Sequence, residues 1–344
     1  MNYAIPVGLI DLIRQSKYVL LGSHVNADGD AYGSVLGMKL ILDALGKRTH
    51  AAMHDPVLEE FLFLPGAAAI RGPREVGADY DLIIALDASS VDRLGDVYHE
   101  GKLAGVPLVV VDHHITNTYF GTVNWVEPAC AATCQMLAYL ADALGVTLAP
   151  ELAECLLTGV ITDTLCFRTS NTTPAVLEVA MHLQEAGANL SAIVQQTLNR
   201  MPYSTLRLWA LVLPEAQLED GVLWAAVRRD QVATAGMPND ESKLNSTFAT
   251  IVEADVSAVF TEKIGKTGKS AVECSFRAKP GYNVGELALS FGGGGHPAAS
   301  GCTIAGSLDE VMALVVPALK ETRRQQTVKK TALQAGSNTT QQTA

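Results

Sequence analysis

An aspartate and two histidines end a strongly apolar segment of this 344-residue sequence. Residues 106–111 are nearly all apolar and include three successive valines, and Asp112, His113 and His114 follow them directly. Such a β-branched run predicts a buried strand of a parallel sheet. Because the carboxyl ends of parallel strands form the ligand crevice of an open α/β sheet, we expect these polar side chains to bind a metal ion or to transfer protons.

The other acids and imidazoles suited to such chemistry also stand at the ends of predicted elements. They are His24, Asp28, Asp30, Asp87 and Asp163. His24 ends a predicted strand at residues 18–24, and both Asp28 and Asp30 lie in the turn before a helix near 31–46. An aspartate at the start of a helix is an ordinary N-cap. A second acid two residues later and a histidine four residues earlier are more than capping requires.

The number of acids predicted at one edge of the sheet requires positive charge between them. Close carboxylates repel one another and raise one another's pKa unless cations neutralise them. Two divalent ions about 3.5–4 Å apart form the usual site for displacement at phosphorus, because together they stabilise the attacking and the leaving oxygen. Carboxylates mixed with imidazoles favour Mn²⁺, with Mg²⁺ or Co²⁺ as alternatives. The sequence therefore predicts a site for two divalent ions.

Alternating strand and helix patterns predict an α/β fold with a doubly wound, mostly parallel sheet in the N-terminal half. The second half has short strand-like runs separated by turn residues, which predict a smaller α/β domain with a mixed sheet. We expect four parts, namely a domain with the two-metal site at 1–195, a helical connector at 196–218, a smaller second domain at 219–323 and a disordered tail at 324–344.

Composition argues against several classes of protein. The formal net charge of −11 argues against tight binding to long duplex nucleic acid, which requires many cationic contacts to phosphate. No apolar run reaches the roughly 20 residues needed to cross a bilayer, and the amino terminus lacks the pattern of a secretory signal. The six cysteines include no Cys-x-x-Cys pair, which is typical of buried, reduced thiols. We expect a cytoplasmic protein without a membrane partner.

Five motifs occur in an order and spacing that resemble the DHH phosphoesterases, specifically the RecJ-like branch that contains the nanoRNase/pAp phosphatases. They are HVNADGDAYGS at 24–34, LD at 86–87, DHH at 112–114, TDT at 162–164 and GGGGH at 292–296. The resemblance spans about residues 18–305. Any one motif is weak by itself, and their combination carries the resemblance.

The resemblance implies a role for each residue of the predicted metal site. The ligands of one Mn²⁺ would be His24, Asp28 and Asp87. Those of the other would be Asp30, Asp87, His113 and Asp163. In this interpretation Asp87 bridges the two ions, Asp112 orients a ligating imidazole, and His114 faces the scissile phosphate. Asn26 would contact water or phosphate, although ordinary turn chemistry explains an asparagine at this position equally well.

In the C-terminal half the resemblance implies contacts to the substrate. They would come from Arg277, Gly293, Gly294, Gly295 and His296. An arginine fork suits a terminal phosphate, and glycine lets the backbone approach a nucleotide closely. A flexible loop is the alternative explanation of the four successive glycines. A catalytic half and a phosphate-binding half together imply a cleft that closes around a short substrate.

The implied activity is that of a hydrolase of phosphate esters, an exoribonuclease and bisphosphate nucleotidase. Its substrates would be very short single-stranded RNAs, cleaved to 5′-mononucleotides, and 3′-phosphoadenosine 5′-phosphate (pAp), which loses its 3′-phosphate. Hydrolysis of linear or cyclic dinucleotides is the first alternative. An inorganic pyrophosphatase and an inactive nucleotide-binding regulator are two further alternatives. The same interpretation allows a homodimer.

Overall fold

The structure, a computed structural model, describes residues 4–237, 244–265 and 268–340 of the chain. The chain divides into two compact units, Met1–Arg200 and Met201–Ala344. Each unit has its own sheet and its own hydrophobic core. Among the described residues, no helix has the combined length and apolar character of a membrane span.

The described part of the N-terminal unit contains a parallel sheet of five strands. They are β1 Tyr18–Gly22, β2 Arg48–Ala51, β3 Leu82–Leu86, β4 Leu108–Asp112 and β5 Val123–Val126. Their order across the sheet is β2-β1-β3-β4-β5, and every neighbouring pair is parallel. Strands β3 and β4 are buried along their whole length, which explains their continuous apolar sequences. Alternate residues supply the cores on the two faces, with Val109 and Val111 on one and Val110 on the other.

Helices and short 3₁₀ segments cover both faces of this sheet, so the predicted doubly wound α/β fold is confirmed. The helices of the unit are α1 Val7–Gln15, α2 Gly29–Ala44, α3 Glu100–Leu103, α4 Thr133–Ala143, α5 Pro150–Asp163, α6 Pro174–Glu185 and α7 Leu190–Thr197. The two layers are unequal. The larger core includes side chains of α1, α2, α4, α5, α6 and α7, whereas α3 and the 3₁₀ segment Val91–Val97 cover the opposite face.

Helices α2 and α5 run antiparallel with their backbones in close contact. A side chain at Gly33 would place its Cβ 2.5 Å from the carbonyl oxygen of Cys155, and one at Gly159 would collide with Asp30 Oδ1. Only glycine fits at these two positions, although it weakens a helix interior by about 1 kcal/mol relative to alanine. The close packing brings the carboxyl end of α5, with Asp163, next to the start of α2, with Asp30.

The described part of the C-terminal unit contains a mixed sheet of six strands. They are β6 Gln217–Glu219, β7 Val222–Val227, β8 Val256–Ile264, β9 Ser270–Ala278, β10 Gly294–His296 and β11 Ala299–Ala305. Their order is β10-β11-β9-β8-β7-β6, and only β7 and β8 pair in parallel. The helices of this unit are α8 Tyr203–Val212, α9 Arg229–Ala235, α10 Leu244–Phe248, α11 Gly285–Ser290 and α12 Leu308–Thr340. The prediction of a second α/β domain with a mixed sheet is thus confirmed.

The last helix extends into the segment that composition predicted to be disordered. Helix α12 runs through residues 324–340 of the predicted tail 324–344, and residues 341–344 lie outside the described residues. Glu321 accepts hydrogen bonds from Arg324 and Gln325, three and four residues later, which is the spacing that stabilises a helix. A polar composition predicted disorder, but alanine, arginine, lysine and glutamine are also strong helix formers.

Candidate metal centre

The predicted site residues of the N-terminal unit gather at the carboxyl edge of its sheet, where the strand order reverses. Strand β1 lies between β2 and β3. The chain therefore passes from β1 to β2 on one side and then returns to β3 on the other side of β1. In doubly wound sheets, ligands bind in the crevice at this switch point. His24 follows β1 and Asp87 follows β3, so both residues stand beside the crevice.

One group of candidate ligands consists of His24, Asp28 and Asp87, whose ligand atoms all lie within 4.8 Å of one another. The Nε2 atom of His24 is 3.8 Å from Asp28 Oδ1 and 3.5 Å from Asp87 Oδ2. Asp28 is also the N-cap of α2, since its Oδ1 accepts hydrogen bonds from the amides of Asp30 and Ala31. Capping therefore fixes the position of a carboxylate that belongs to the group.

A second group consists of Asp30, His113 and Asp163, and a further set of Asp87, His113 and His114 shares one residue with each of these two groups. The Nε2 atom of His113 lies 3.1 Å from Asp163 Oδ2 and 3.9 Å from Asp30 Oδ2. Asp30 is fully buried at the amino end of α4, where its oxygens accept hydrogen bonds from the amides of Thr133 at 2.6 Å and Cys134 at 2.9 Å. The amide groups at this helix terminus therefore hold both oxygens of Asp30 in place.

Asp87 lies between the two groups. Its Oδ2 faces His24, while its Oδ1 is 3.5 Å from Nε2 of His113. The residue is 1 % exposed, and its backbone is left-handed with φ 55°, an uncommon conformation for a residue with a side chain. The hydroxyl of Thr133 donates a hydrogen bond to Oδ1 at 3.1 Å. The geometry thus gives this carboxylate one oxygen for each group.

Asp112 supports His114 and stands outside the two groups. Its Oδ1 accepts a hydrogen bond from His114 Nδ1 at 2.7 Å, and its Oδ2 accepts one from Asn117 Nδ2 at 2.6 Å. Burial alone would raise the pKa of Asp112, but these two donors outweigh it and lower the pKa. The bond to Asp112 in turn raises the pKa of His114, whose side chain is 41 % exposed. His114 can therefore hold a proton at the open side of the site.

In the metal-free site, protons compensate the negative charge of the clustered carboxylates. Burial would lower the pKa of His24 and His113, but the neighbouring carboxylates outweigh it and raise each pKa to about 10. Burial also raises the pKa of Asp163 to about 6 and that of Asp30 well above its usual range, with repulsion from Asp87 adding to both shifts. Protons thus take positions in the metal-free protein that a cation could take instead.

The donor set fits divalent cations. Carboxylate oxygens and imidazole nitrogens are the ligands expected of Mn²⁺. In the described part of the chain, Nε2 of His113 is buried and makes no hydrogen bond of acceptable geometry, although Asp163 lies close to it. A buried polar atom without a partner is costly, and metal ligation would satisfy it.

The metal-free protein should become less stable as the pH rises from 6.5 to about 10. His24 and His113 have an ordinary pKa of 6.5, raised to about 10 in the folded chain, so their stabilising contribution is complete below pH 6.5 and lost as the pH rises through about 10. Asp163, raised from 3.8 to about 6, acts in the same direction at lower pH. Thermal unfolding of chelator-treated protein across this range measures the effect.

The same protein with Mn²⁺ is the control for this pH series. Ligation requires neutral imidazoles, so the metal-loaded protein should keep its midpoint of unfolding where the metal-free protein loses several degrees. A midpoint of the chelator-treated protein that does not change with pH would contradict the protonation that we assign to the two histidines.

Several supporting residues were missed by the sequence predictions. Thr133 and Cys134 hold Asp30, and Asn117 holds Asp112, from positions far along the chain. The only sequence signal for the first two is the run of small residues before α4. Arg93, outside the predicted set, has its Nη2 atom 3.0 Å from Nδ1 of His24.

In the C-terminal unit, two of the predicted substrate residues share one row of the sheet. Arg277 in β9 pairs with Ala299 in β11, which pairs in turn with His296 in β10. Residues aligned across neighbouring strands point to the same face, so Arg277 and His296 lie on one face about 10 Å apart. Arg277 Nη1 donates a hydrogen bond to the carbonyl of Phe276 at 2.9 Å, and no described carboxylate forms an ion pair with its guanidinium.

The predicted glycines lie in and directly before β10, the strand that contains His296. A side chain at Gly293 would collide with the carbonyl of Gly301, and Gly295 has a left-handed backbone with φ 131°. Gly294, by contrast, borders open space. Packing therefore requires glycine at 293 and 295, and Gly294 presents an uncovered backbone. The structure places these residues in and beside a short strand, where the alternative interpretation expected a flexible loop.

A carboxylate–imidazole cluster at the ligand edge of a doubly wound sheet is the arrangement expected of a metal-dependent hydrolase of phosphate esters. Residues 18–160 match the DHH family, N-terminal domain, and residues 229–322 match the DHHA1 domain. The chain belongs to the DHH family of phosphoesterases, as its motifs predicted.

Similar proteins extend over nearly the whole chain. A bifunctional oligoribonuclease and PAP phosphatase NrnA from Thermus thermophilus is 35% identical over 310 residues, 88% of this chain and 89% of the relative. Its counterpart from Bacillus subtilis is 27% identical over 302 residues, 86% and 92% of the two chains. An exopolyphosphatase-related protein from Bacteroides fragilis has the same fold, with a TM-score of 0.83 at 22% identity over 93% of this chain and 96% of that chain.

Proposed function

We propose that this chain hydrolyses very short single-stranded oligoribonucleotides to 5′-mononucleotides and removes the 3′-phosphate of pAp. The observation that carries the proposal is the 35% identity, over 88% of the chain, to a protein named for both activities. The net charge of −11 favours short substrates over long duplexes. The cysteines without Cys-x-x-Cys pairs are consistent with a cytoplasmic location.

Two divalent cations, most readily Mn²⁺, are part of this proposal. His24, Asp28 and Asp87 would hold one ion. Asp30, Asp87, His113 and Asp163 would hold the other. The two oxygens of Asp87, which face different groups, support its assignment as the shared ligand. Mg²⁺ and Co²⁺ are the alternative ions for such a donor set.

The chain's own residues would contribute position and charge to the reaction. When bound, the cations would act as Lewis acids on the phosphate and lower the pKa of an attacking water. The amides at the start of α4 and the hydroxyl of Thr133 hold Asp30 and Asp87 in place before substrate arrives, so little reorganisation is needed. His114, with Nδ1 fixed by Asp112, would stabilise charge on the non-bridging phosphate oxygens. Asn26 would contact water or phosphate beside them.

In the C-terminal unit, Arg277, the backbone of residues 293–295 and His296 would bind the terminal phosphate and the nucleotide. The common face of Arg277 and His296 and the uncovered backbone of Gly294 support this assignment. A guanidinium without a carboxylate partner among the described residues is suited to a bidentate contact with phosphate.

Substitution of Arg277 by lysine should raise the KM for pAp by about tenfold and change kcat little. Lysine keeps the positive charge but cannot make two parallel hydrogen bonds to a phosphate. Steady-state kinetics with pAp and Mn²⁺ measure both constants. Arg229→Lys, at an exposed position of the same unit, is the matched control. An unchanged KM would remove Arg277 from the proposed substrate contacts.

A specific similarity favours a second candidate function, hydrolysis of linear or cyclic dinucleotides. A cyclic-di-AMP phosphodiesterase GdpP from Geobacillus thermodenitrificans is 27% identical over 84% of this chain, which spans 45% of that relative. Chromatography of products from pAp, a diribonucleotide, a longer RNA oligomer and a cyclic dinucleotide, each with Mn²⁺, separates the candidates. We expect turnover of pAp and the diribonucleotide. Preferred turnover of the cyclic compound would favour the second function, and faster hydrolysis of pyrophosphate would indicate a pyrophosphatase.

A further inference from the structure

A carboxylate outside both groups of candidate ligands contacts the loop that carries His24 and Asp28. Asp55, in the loop after β2, accepts a hydrogen bond at Oδ2 from the backbone amide of Asn26 at 2.7 Å. Asn26 has a left-handed backbone, with φ 55°. It is the midpoint of the turn that brings a histidine and an aspartate four residues apart toward Asp87.

The loop that carries Asp55 is itself held from two sides. Tyr32, 1 % exposed on α2, donates its hydroxyl proton to the carbonyl of Pro56 and accepts a hydrogen bond from the amide of Leu58, both at 3.4 Å. On the other side, Nδ1 of His54 accepts a hydrogen bond from the amide of Asp96 at 3.0 Å. The carboxylate of Asp55 is therefore presented from a fixed backbone.

The loop after β3, which contains Arg93 and Gly95, contacts both of the other loops. The amide of Val25 donates a hydrogen bond to the carbonyl of Arg93 at 2.8 Å. A Cβ at Gly95 would lie 2.7 Å from both His54 Nδ1 and Val25 Cγ1, so the loops after β1, β2 and β3 pack without spare room. Together these contacts restrict how the first ligand loop can move.

We propose that Asp55 is a positioning residue for the metal centre, acting through the backbone of Asn26. Asparagine tolerates the left-handed backbone region but also adopts the ordinary helical and extended regions. The residue type at position 26 therefore does not by itself fix the conformation of the turn. A hydrogen-bond acceptor held on the Asn26 amide favours the conformation in which His24 and Asp28 both face Asp87. This inference rests on the proposed two-metal function.

Asp55→Ala should weaken Mn²⁺ binding by about 10- to 100-fold, the usual effect of removing a residue that orients a metal ligand. Asp55→Asn keeps an acceptor oxygen at the same place and should bind Mn²⁺ within about threefold of the wild type, because one neutral hydrogen bond still orders the turn. Calorimetric titration of metal-free, full-length protein with Mn²⁺ measures this directly. Kinetics with pAp should show the same loss as a higher Mn²⁺ requirement.

Glu60→Ala is the matched control, because it removes a nearby negative charge whose side chain makes no hydrogen bond or ion pair in the described part of the chain. It should leave Mn²⁺ binding unchanged. Asp55→Ser keeps a polar side chain too short to reach Asn26, and it gives the same test if Asp55→Ala does not fold. The metal-free variants should unfold within a few degrees of the wild type.

The outcomes separate the inference from the function on which it rests. Wild-type protein that binds no Mn²⁺ would refute the proposed function. Wild-type binding with unchanged affinity in Asp55→Ala and Asp55→Ser would overturn the positioning role alone. Equal losses in Asp55→Asn and Asp55→Ala would attribute the effect to charge and would also overturn it.

Discussion

Asp87→Asn should reduce Mn²⁺-dependent hydrolysis of pAp by about a thousand-fold, the upper range for removal of one charged group that stabilises the transition state. Asp87 is the carboxylate that faces both groups of candidate ligands, with one oxygen toward His24 and the other toward His113. The amide has nearly the same shape but no negative charge, so the shared position between two cations would be lost. Steady-state kinetics at saturating Mn²⁺ measure the change.

Thermal unfolding distinguishes this loss from misfolding. Without metal, Asp87→Asn should unfold within a few degrees of the wild type, because the variant loses the repulsion of Asp87 by Asp30 and Asp163 but also its attraction to the imidazoles of His24 and His113. The increase in stability that Mn²⁺ gives the wild type should disappear. Asp79→Asn, exposed near the opposite end of β3, is the control and should behave as wild type. Substantial activity of Asp87→Asn would exclude a bridging role.

His114→Gln should lower kcat for pAp by about a hundred-fold while Mn²⁺ binding stays close to that of the wild type. Asp112 holds Nδ1 of His114 at 2.7 Å, and the side chain is 41 % exposed at the open side of the site. Because Nδ1 of His114 also lies 3.6 Å from Asp87 Oδ1, within a set of residues that could hold an ion, unchanged Mn²⁺ binding is the result that assigns His114 to the phosphate. Kinetics and calorimetric titration of the same variant separate the two effects.

A double-mutant cycle tests whether Asp112 acts through His114. The effects of Asp112→Asn and His114→Gln should be far from additive, since one residue fixes the ring of the other. Additive effects would show that Asp112 works by another route. His182→Gln is the matched control, because this histidine also contacts a carboxylate, that of Glu185 at 3.1 Å, but lies exposed on α6.

The sequence predicted β1 and β4 of the N-terminal unit, because buried parallel strands have long apolar runs, but it did not predict β5. The run at 106–114 contains β4, Leu108–Asp112, and the polar residues that follow it leave the sheet. The order of the strands depends on contacts between distant segments, so no local pattern contains it. For the same reason the unequal cover of the two faces was not predicted.

The candidate ligands could be predicted because a cluster of acids at strand ends is rarely needed for folding. The residues that support the site could not be predicted, because Thr133, Asn117 and Asp55 are ordinary helix-start and loop residues in the sequence. Only the folded chain brings them to Asp30, Asp112 and Asn26, respectively. Helix α12 continues into the segment predicted as a disordered tail, and composition alone does not separate a solvated helix from a disordered segment.

The close packing of α2 against α5 links the thermal stability of the protein to the geometry of its metal centre, two properties that usually vary separately. Replacing helix glycines by alanine is a standard route to a more thermostable variant. At Gly33 and Gly159 the same exchange would drive the helices apart and displace a carboxylate of the metal centre. Lineages that adapt this protein to heat must therefore gain stability elsewhere, and the helix crossing should stay unchanged among functional descendants.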